Sequence, residues 1–188
     1  MTGNGNRGNR NPIMAEKTDR KKKERGKRIR EERSRQLRRT EAENHHDFAV
    51  MHYRNRDFAE ARRCLQKAIT VLPNHLSSHQ LLAQIALDEK NLPEAARIFR
   101  LILKKWPEES FAWYFLGVVL MDLRKFDEAV EAFQAFIIAS GGRRSDALVK
   151  TYRRNARSAI REVARIGKIE ALAPPPSSSP ASETADLF

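Results

Sequence analysis

Phe58 to Pro73 reads FAEARRCLQKAITVLP, Leu92 to Pro107 reads LPEAARIFRLILKKWP, and Phe126 to Gly141 reads FDEAVEAFQAFIIASG. The three stretches are one phrase written at intervals of 34 residues. Ala61, Ala95 and Ala129 share a register position, and so do Leu65, Phe99 and Phe133. Pro73 and Pro107 close the first two copies, and Gly141-Gly142 closes the third. Apolar residues recur along each phrase at helical spacing, which gives helices over roughly 58–71, 92–105 and 126–139. Equally periodic runs precede them at roughly 42–55, 76–89 and 110–123, so each period holds two helices.

The breaks carry boundary chemistry. Asp57 and Asn91 can accept hydrogen bonds from the free N–H groups that open the next helix. Pro93 falls in a first turn, where its missing N–H costs nothing. Pro73 and Pro107 stop their helices because proline disfavours helical geometry in the residue before it. Gly141-Gly142 is expected to supply a left-handed stop. The small alanines let paired helices approach, and Leu65, Phe99 and Phe133 fill the space beside them. A lone pair cannot bury all its apolar faces, so such pairs stack in arrays with special ends. Ser145 to Ile166 reads as the end helix, with Leu148, Tyr152, Ala156, Ala159, Ile160 and Val163 on its covering face.

The period, with Trp113-x-x-Leu116-Gly117-x-x-Leu120 followed by Ala129 and Phe133, resembles the tetratricopeptide repeat. The second copy keeps Leu82, Ala83, Ala95, Phe99 and Pro107. The first keeps Ala61, Ala68 and Pro73 but starts with His45, Phe48, Ala49 and His52. The fold expected is all-α, an α-solenoid of stacked antiparallel helix pairs with a C-terminal capping helix. Its parts are a basic arm over 1–40, disordered or partly helical, and three repeats over 41–142 (42–75, 76–109 and 110–143). A capping helix over 144–172 and a Pro/Ser-rich disordered tail over 173–188 follow.

The resemblance implies a non-catalytic scaffold whose first helices line a concave groove. By register, the inward positions are His46, Val50 and Tyr53, then Gln80, Gln84 and Leu87, then Tyr114, Val118 and Met121. Many relatives with this repeat grip a chaperone's C-terminal carboxylate through Lys, Arg and Asn in the groove. Here His46 and Val50 stand where Lys and Asn would be, and Phe111 and Phe115 replace a basic pair. An apolar or amphipathic partner segment suits such a lining better than a carboxylate. The chain's own N-terminal helix or C-terminal tail could also cover part of this face.

Charge is concentrated at the ends. Of the net +12, residues 1–40 carry +10, residues 143–168 carry +7, the middle carries −2 and the tail −3. Glu24/Arg28 and Glu31/Arg35 at i,i+4 support a solvated helix in the arm, which Gly26 weakens. Residues 1–13 lack periodicity and read as disordered. Lys21, Lys22, Lys23, Arg25, Lys27, Arg28 and Arg30 form one basic patch; Arg154, Arg157, Arg161 and Arg165 form a stripe on the capping helix. These could meet nucleic acid or an acidic protein nonspecifically, since the arm has no aromatic residue to stack on bases. An RNA- or ribosome-associated factor is therefore the alternative to a protein adaptor. The ends of a short array also leave room for self-association.

Catalysis finds no support. The five histidines read as helix-packing or surface residues rather than converging as zinc ligands need. His45, His52 and His79 take aromatic packing positions of the repeat, and His75 lies beside Pro73. Cys64 is the only cysteine, which excludes an internal disulfide and suits a structural thiol. No phosphate loop, nucleophile elbow or carboxylate pair is present, and no cofactor is expected. No stretch approaches the ~18 apolar residues of a membrane span, and the N-terminus lacks the apolar core of a secretory signal. An intracellular, cytoplasmic protein is expected.

Overall fold

The computed structural model describes residues 12–141 and 146–172, with side chains over 20–141 and 146–167. All its regular structure is helical: α1 (Pro12–Arg54), α2 (Phe58–Val71), α3 (Leu76–Asp88), α4 (Leu92–Lys105), α5 (Ser110–Asp122), α6 (Phe126–Ala139) and α7 (Ala147–Leu172). The chain falls into two compact units, residues 1–85 and 86–188. Of the disorder expected over 1–13, residues 1–11 lie outside the described residues while Pro12 and Ile13 open α1; the tail over 173–188 also lies outside them.

In the first unit α1 packs on α2. Ala49, Ala61, Leu65 and Ile85 form its buried centre, flanked by Tyr53, Phe58, Cys64, Leu81 and Leu82. Ala49 and Ala61 are fully buried, so the backbones come close without leaving a void. In the second unit α5 packs on both α4 and α6, and α7 packs on α6. Phe133 and Phe136 are its largest fully buried side chains. Gly117 is required beside Phe133, because a Cβ added there would come within 2.7 Å of the ring.

The caps are as the residue types require. Asp57 Oδ1 accepts from the Glu60 N–H at 3.2 Å, and Asn91 Oδ1 accepts from the Glu94 N–H at 3.3 Å. Lys125 occupies the same position before α6 and makes no side-chain cap. α2 and α4 end at Leu72 and Trp106, each just before its proline.

Of the left-handed stop expected at Gly141-Gly142, Gly142 lies outside the described residues. Ser140 ends α6 with φ −84° and ψ −6°, and no glycine among the described residues has positive φ. Positive φ occurs instead at Arg56 (62°), Lys90 (58°) and Arg124 (57°), one per period, between the two helices of each pair. The N–H groups one residue later donate to His52, Ala86 and Leu120 carbonyls, each at 2.9 Å. That six-to-one bond is the Schellman ending, which closes a helix by tying a following N–H back across its last turn.

The arm expected over 1–40 is helical from Pro12, and α1 runs on from it into the first repeat without a break. Two further expectations need correction. Among the described residues the arm's ion pairs are Arg20–Glu24, Lys27–Glu31 and Arg39–Glu43, with the base preceding the acid, rather than Glu24/Arg28 and Glu31/Arg35. Leu148 is 54% exposed, so the covering face of α7 begins instead at the half-buried Val149 and runs through Tyr152, Ala156, Ile160 and Val163.

Candidate partner-binding surface

His46, Val50 and Tyr53 on α1, and Gln84 on α3, are half-buried, while Gln80 is exposed. The His46 and His75 rings meet edge-on, with centroids 5.4 Å apart, and His75 Nδ1 lies 2.7 Å from Ser78 Oγ. His46 Nδ1 is buried without a hydrogen-bond partner. Burial holds both imidazoles below their ordinary pKa, and for His75 the His46 ring adds to the depression. His46 therefore serves packing between α1 and the start of α3 more than an open surface.

In the second unit Leu87, Tyr114, Val118 and Met121 are all half-buried. Tyr114 lies 4.6 Å from the Tyr152 ring of α7 and 5.3 Å from Phe136. Phe111 and Phe115 also meet Tyr152, at 5.5 and 6.3 Å. The aromatic residues that replace a basic pair are thus gathered under the capping helix, and Tyr152 is the side chain that covers them. Val118 and Met121 follow Tyr114 by one and two turns and carry no charge.

Clefts open on other faces, which sequence reasoning did not single out. One of ≈ 370 Å³ is lined by Arg100 and Leu103 of α4, Trp113 and Leu116 of α5, and Glu128 and Ala132 of α6. Arg100 pairs there with Glu128 at 2.5 Å; the hydrogen bond from Lys125, and then Arg100, hold the Glu128 carboxyl below its usual range. A second of ≈ 560 Å³, lined by His45, Glu60, Arg63 and Cys64 among others, belongs to the first unit. His45, Glu60 and Cys64 stand 68 residues, two periods, before Trp113, Glu128 and Ala132. The two clefts are thus one feature of the repeat; the second has no preceding helix in α4's role, and the register was the signal that could have found it.

His79 and Trp113 are register equivalents that do one job. His79 Nε2 lies 3.1 Å from the Pro73 carbonyl, and Trp113 Nε1 donates to the Pro107 carbonyl at 3.0 Å. Each ring ties a helix back to the proline turn before it. Among the described residues no three His, Cys, Asp or Glu side chains cluster as metal ligands, and no helix is long and apolar enough to cross a membrane.

The basic residues divide by unit. Lys21, Lys22, Lys23, Arg25, Lys27, Arg28 and Arg30 are all exposed on α1, as are Arg154, Arg157, Arg161 and Arg165 on α7. Lys27 is paired with Glu31 and Arg165 with Glu162 at 3.7 Å.

Helix pairs repeating every 34 residues and ending in an amphipathic last helix define an α-helical repeat protein. The tetratricopeptide repeat model matches residues 46–110 and 99–144, together more than half of the sequence, and the chain belongs to that family. Among solved structures, the Sgt2 TPR domain from Aspergillus fumigatus is similar at 22% identity, covering 77% of this chain and 92% of that one, with a TM-score of 0.56. The first TPR of Spaghetti (RPAP3), bound to the HSP90 peptide SRMEEVD, is similar at 14% identity over 69% of this chain and 95% of that one, TM-score 0.57. The TPR2B domain of yeast Sti1, in its pHsp70 complex, gives 13%, 68%, 98% and 0.57. Comparison with curated proteins gives no match.

Proposed function

We propose that this protein is a non-catalytic, cytoplasmic adaptor whose first-helix face holds an apolar or amphipathic segment of a partner protein. The observation that carries this reading is the composition of that face. Val118 and Met121 are half-buried and uncharged, and the aromatic cluster under Tyr152 stands where a carboxylate-gripping surface would need cations. Val50, Tyr53 and Gln84 of the first unit, and Leu87 of the second, are uncharged at the equivalent register positions. Membership in a family of interaction scaffolds supports the class of function, and the departure at Phe111 and Phe115 argues against an acidic peptide such as the one RPAP3 holds.

Affinity capture of the tagged chain from its own cell lysate, with and without nuclease, tests this. A co-purifying protein that survives nuclease and falls at least ten-fold with Met121→Asp supports the adaptor. A second reading rests on the exposed cations between Lys21 and Arg30, which would hold RNA by neutralising phosphates and so lose affinity steeply with salt. Recovery that collapses with nuclease, or on removing residues 1–40, while Met121→Asp has no effect, favours that RNA-associated factor over the adaptor.

A further inference from the structure

From Arg20 to Glu41 every residue of α1 except Gly26 is exposed. Among the described residues of this helix, four large apolar side chains are solvent-facing: Ile29 (45%), Leu37 (71%), Phe48 (55%) and Met51 (50%). They are not scattered. At about 100° per residue the four fall within roughly 100° of the helix circumference. Ile29, Arg33, Leu37, Thr40, Asn44, Phe48 and Met51 follow one another at steps of four, four and three, repeated, and all seven are exposed. That eleven-residue spacing keeps a stripe nearly straight along a helix. The packed side of α1, carrying the fully buried Ala42 and Ala49, lies on the opposite face.

Two of the four have buried counterparts. Leu116 and Val119, two periods after Phe48 and Met51, are 4% and 1% exposed within the helices packed around α5. The same register positions therefore expect a covering helix, and α1 has none in the first unit.

We infer that the stripe is a self-association surface, and that two copies of this chain pair through α1 in antiparallel fashion. The spacing is almost unchanged when read backwards about Thr40. Antiparallel pairing sets Ile29 opposite Met51, Leu37 opposite Asn44, and Thr40 opposite its own copy. It also sets Arg33 against Phe48 and its neighbour Asp47, an aromatic face and a carboxylate for the guanidinium. Charge selects the direction. Residues 31–49, the overlapping centre, hold four Arg against five Asp and Glu, so two copies meet without strong repulsion. The cations between Lys21 and Arg30 are carried to opposite ends. A parallel pair would lay them side by side, where like charges disfavour pairing. His46, Val50 and Tyr53 lie on other faces of α1, so this surface is independent of the proposed groove.

Sedimentation of the full chain over a concentration series tests the pairing. Wild type is expected to pass from monomer to dimer, and Leu37→Asp and Phe48→Asp to remain monomeric at concentrations at least ten-fold higher. Leu37 lies in the exposed arm, so its substitution leaves the repeat core intact and separates lost pairing from lost folding. A short bis-maleimide crosslinker on a Cys64→Ala background reads the direction. Thr40→Cys should crosslink to itself, whereas Ile29→Cys should crosslink only when mixed with Met51→Cys. A chain that stays monomeric throughout overturns the inference, as does Ile29→Cys crosslinking to itself as readily as Thr40→Cys. Stripe variants that lose a different captured protein while wild type is monomeric would reassign the surface to that partner.

Discussion

Arg56, Lys90 and Arg124 sit at φ near 60°, where an L side chain costs roughly 1–2 kcal/mol and glycine little. Replacing Lys90 by Gly is therefore expected to raise stability by up to ~1 kcal/mol, the gain being cut by glycine's extra freedom when unfolded; urea unfolding measures it. Gly117 shows the reverse constraint. Gly117→Ala presses a methyl group into Phe133 and should cost about 1–3 kcal/mol. Phe133→Leu in the same chain should return part of that loss, as Leu65 already accompanies Ala49 in the first unit. His46 and His75 make the first unit sensitive to acid. Both imidazoles are held below the ordinary value of 6.5 mainly by burial, with Glu43 and Asp47 opposing and Arg39 reinforcing the shift at His75. A depressed folded pKa means the neutral rings fold better. Stability is thus complete above about 6.5 and falls as pH drops through the depressed values. Urea midpoints should decline from pH 7.5 to pH 5, and His46→Leu should flatten that decline.

Helices differ in how firmly their ends are held. α2 and α4 open on side-chain caps at Asp57 and Asn91, while α6 opens on Lys125 without one. Asn91→Ala should cost about 1 kcal/mol, and Lys125→Asp should stabilise by a comparable amount by supplying the missing acceptor; thermal unfolding of both variants checks the pair. α7 depends on Tyr152, which touches Phe111, Tyr114 and Phe115 together. Tyr152→Ala should lower stability by on the order of 2 kcal/mol and increase hydrogen exchange in α5. α1 is stabilised in its packed half by α2, whereas its exposed half relies on helix propensity and on pairs such as Arg20–Glu24, each worth a few tenths of a kcal/mol.

Across the whole chain, the repeats were legible because proline, alanine and cap residues recur at a fixed interval, and each has a steric or hydrogen-bonding reason to be there. Helix ends from Phe58 to Ala139 could be placed almost to the residue on that ground. The continuity of α1 was harder to see, since its exposed half has no packed apolar face and Gly26 weakens it. The turns at Arg56, Lys90 and Arg124 were hidden because glycine usually marks such geometry and none stands there. Leu148 was read onto the wrong side of α7 because a helical stripe permits neighbouring starts; only packing on α6 selects Val149. The groove positions follow from register alone, and their use remains the central claim. A photocrosslinking residue placed at Val118 or at Glu131 of the full chain, activated in its own lysate, tests it most directly. The account predicts a protein adduct from Val118 that Met121→Asp suppresses, and none from Glu131. An adduct from Glu131 with none from Val118 would contradict it.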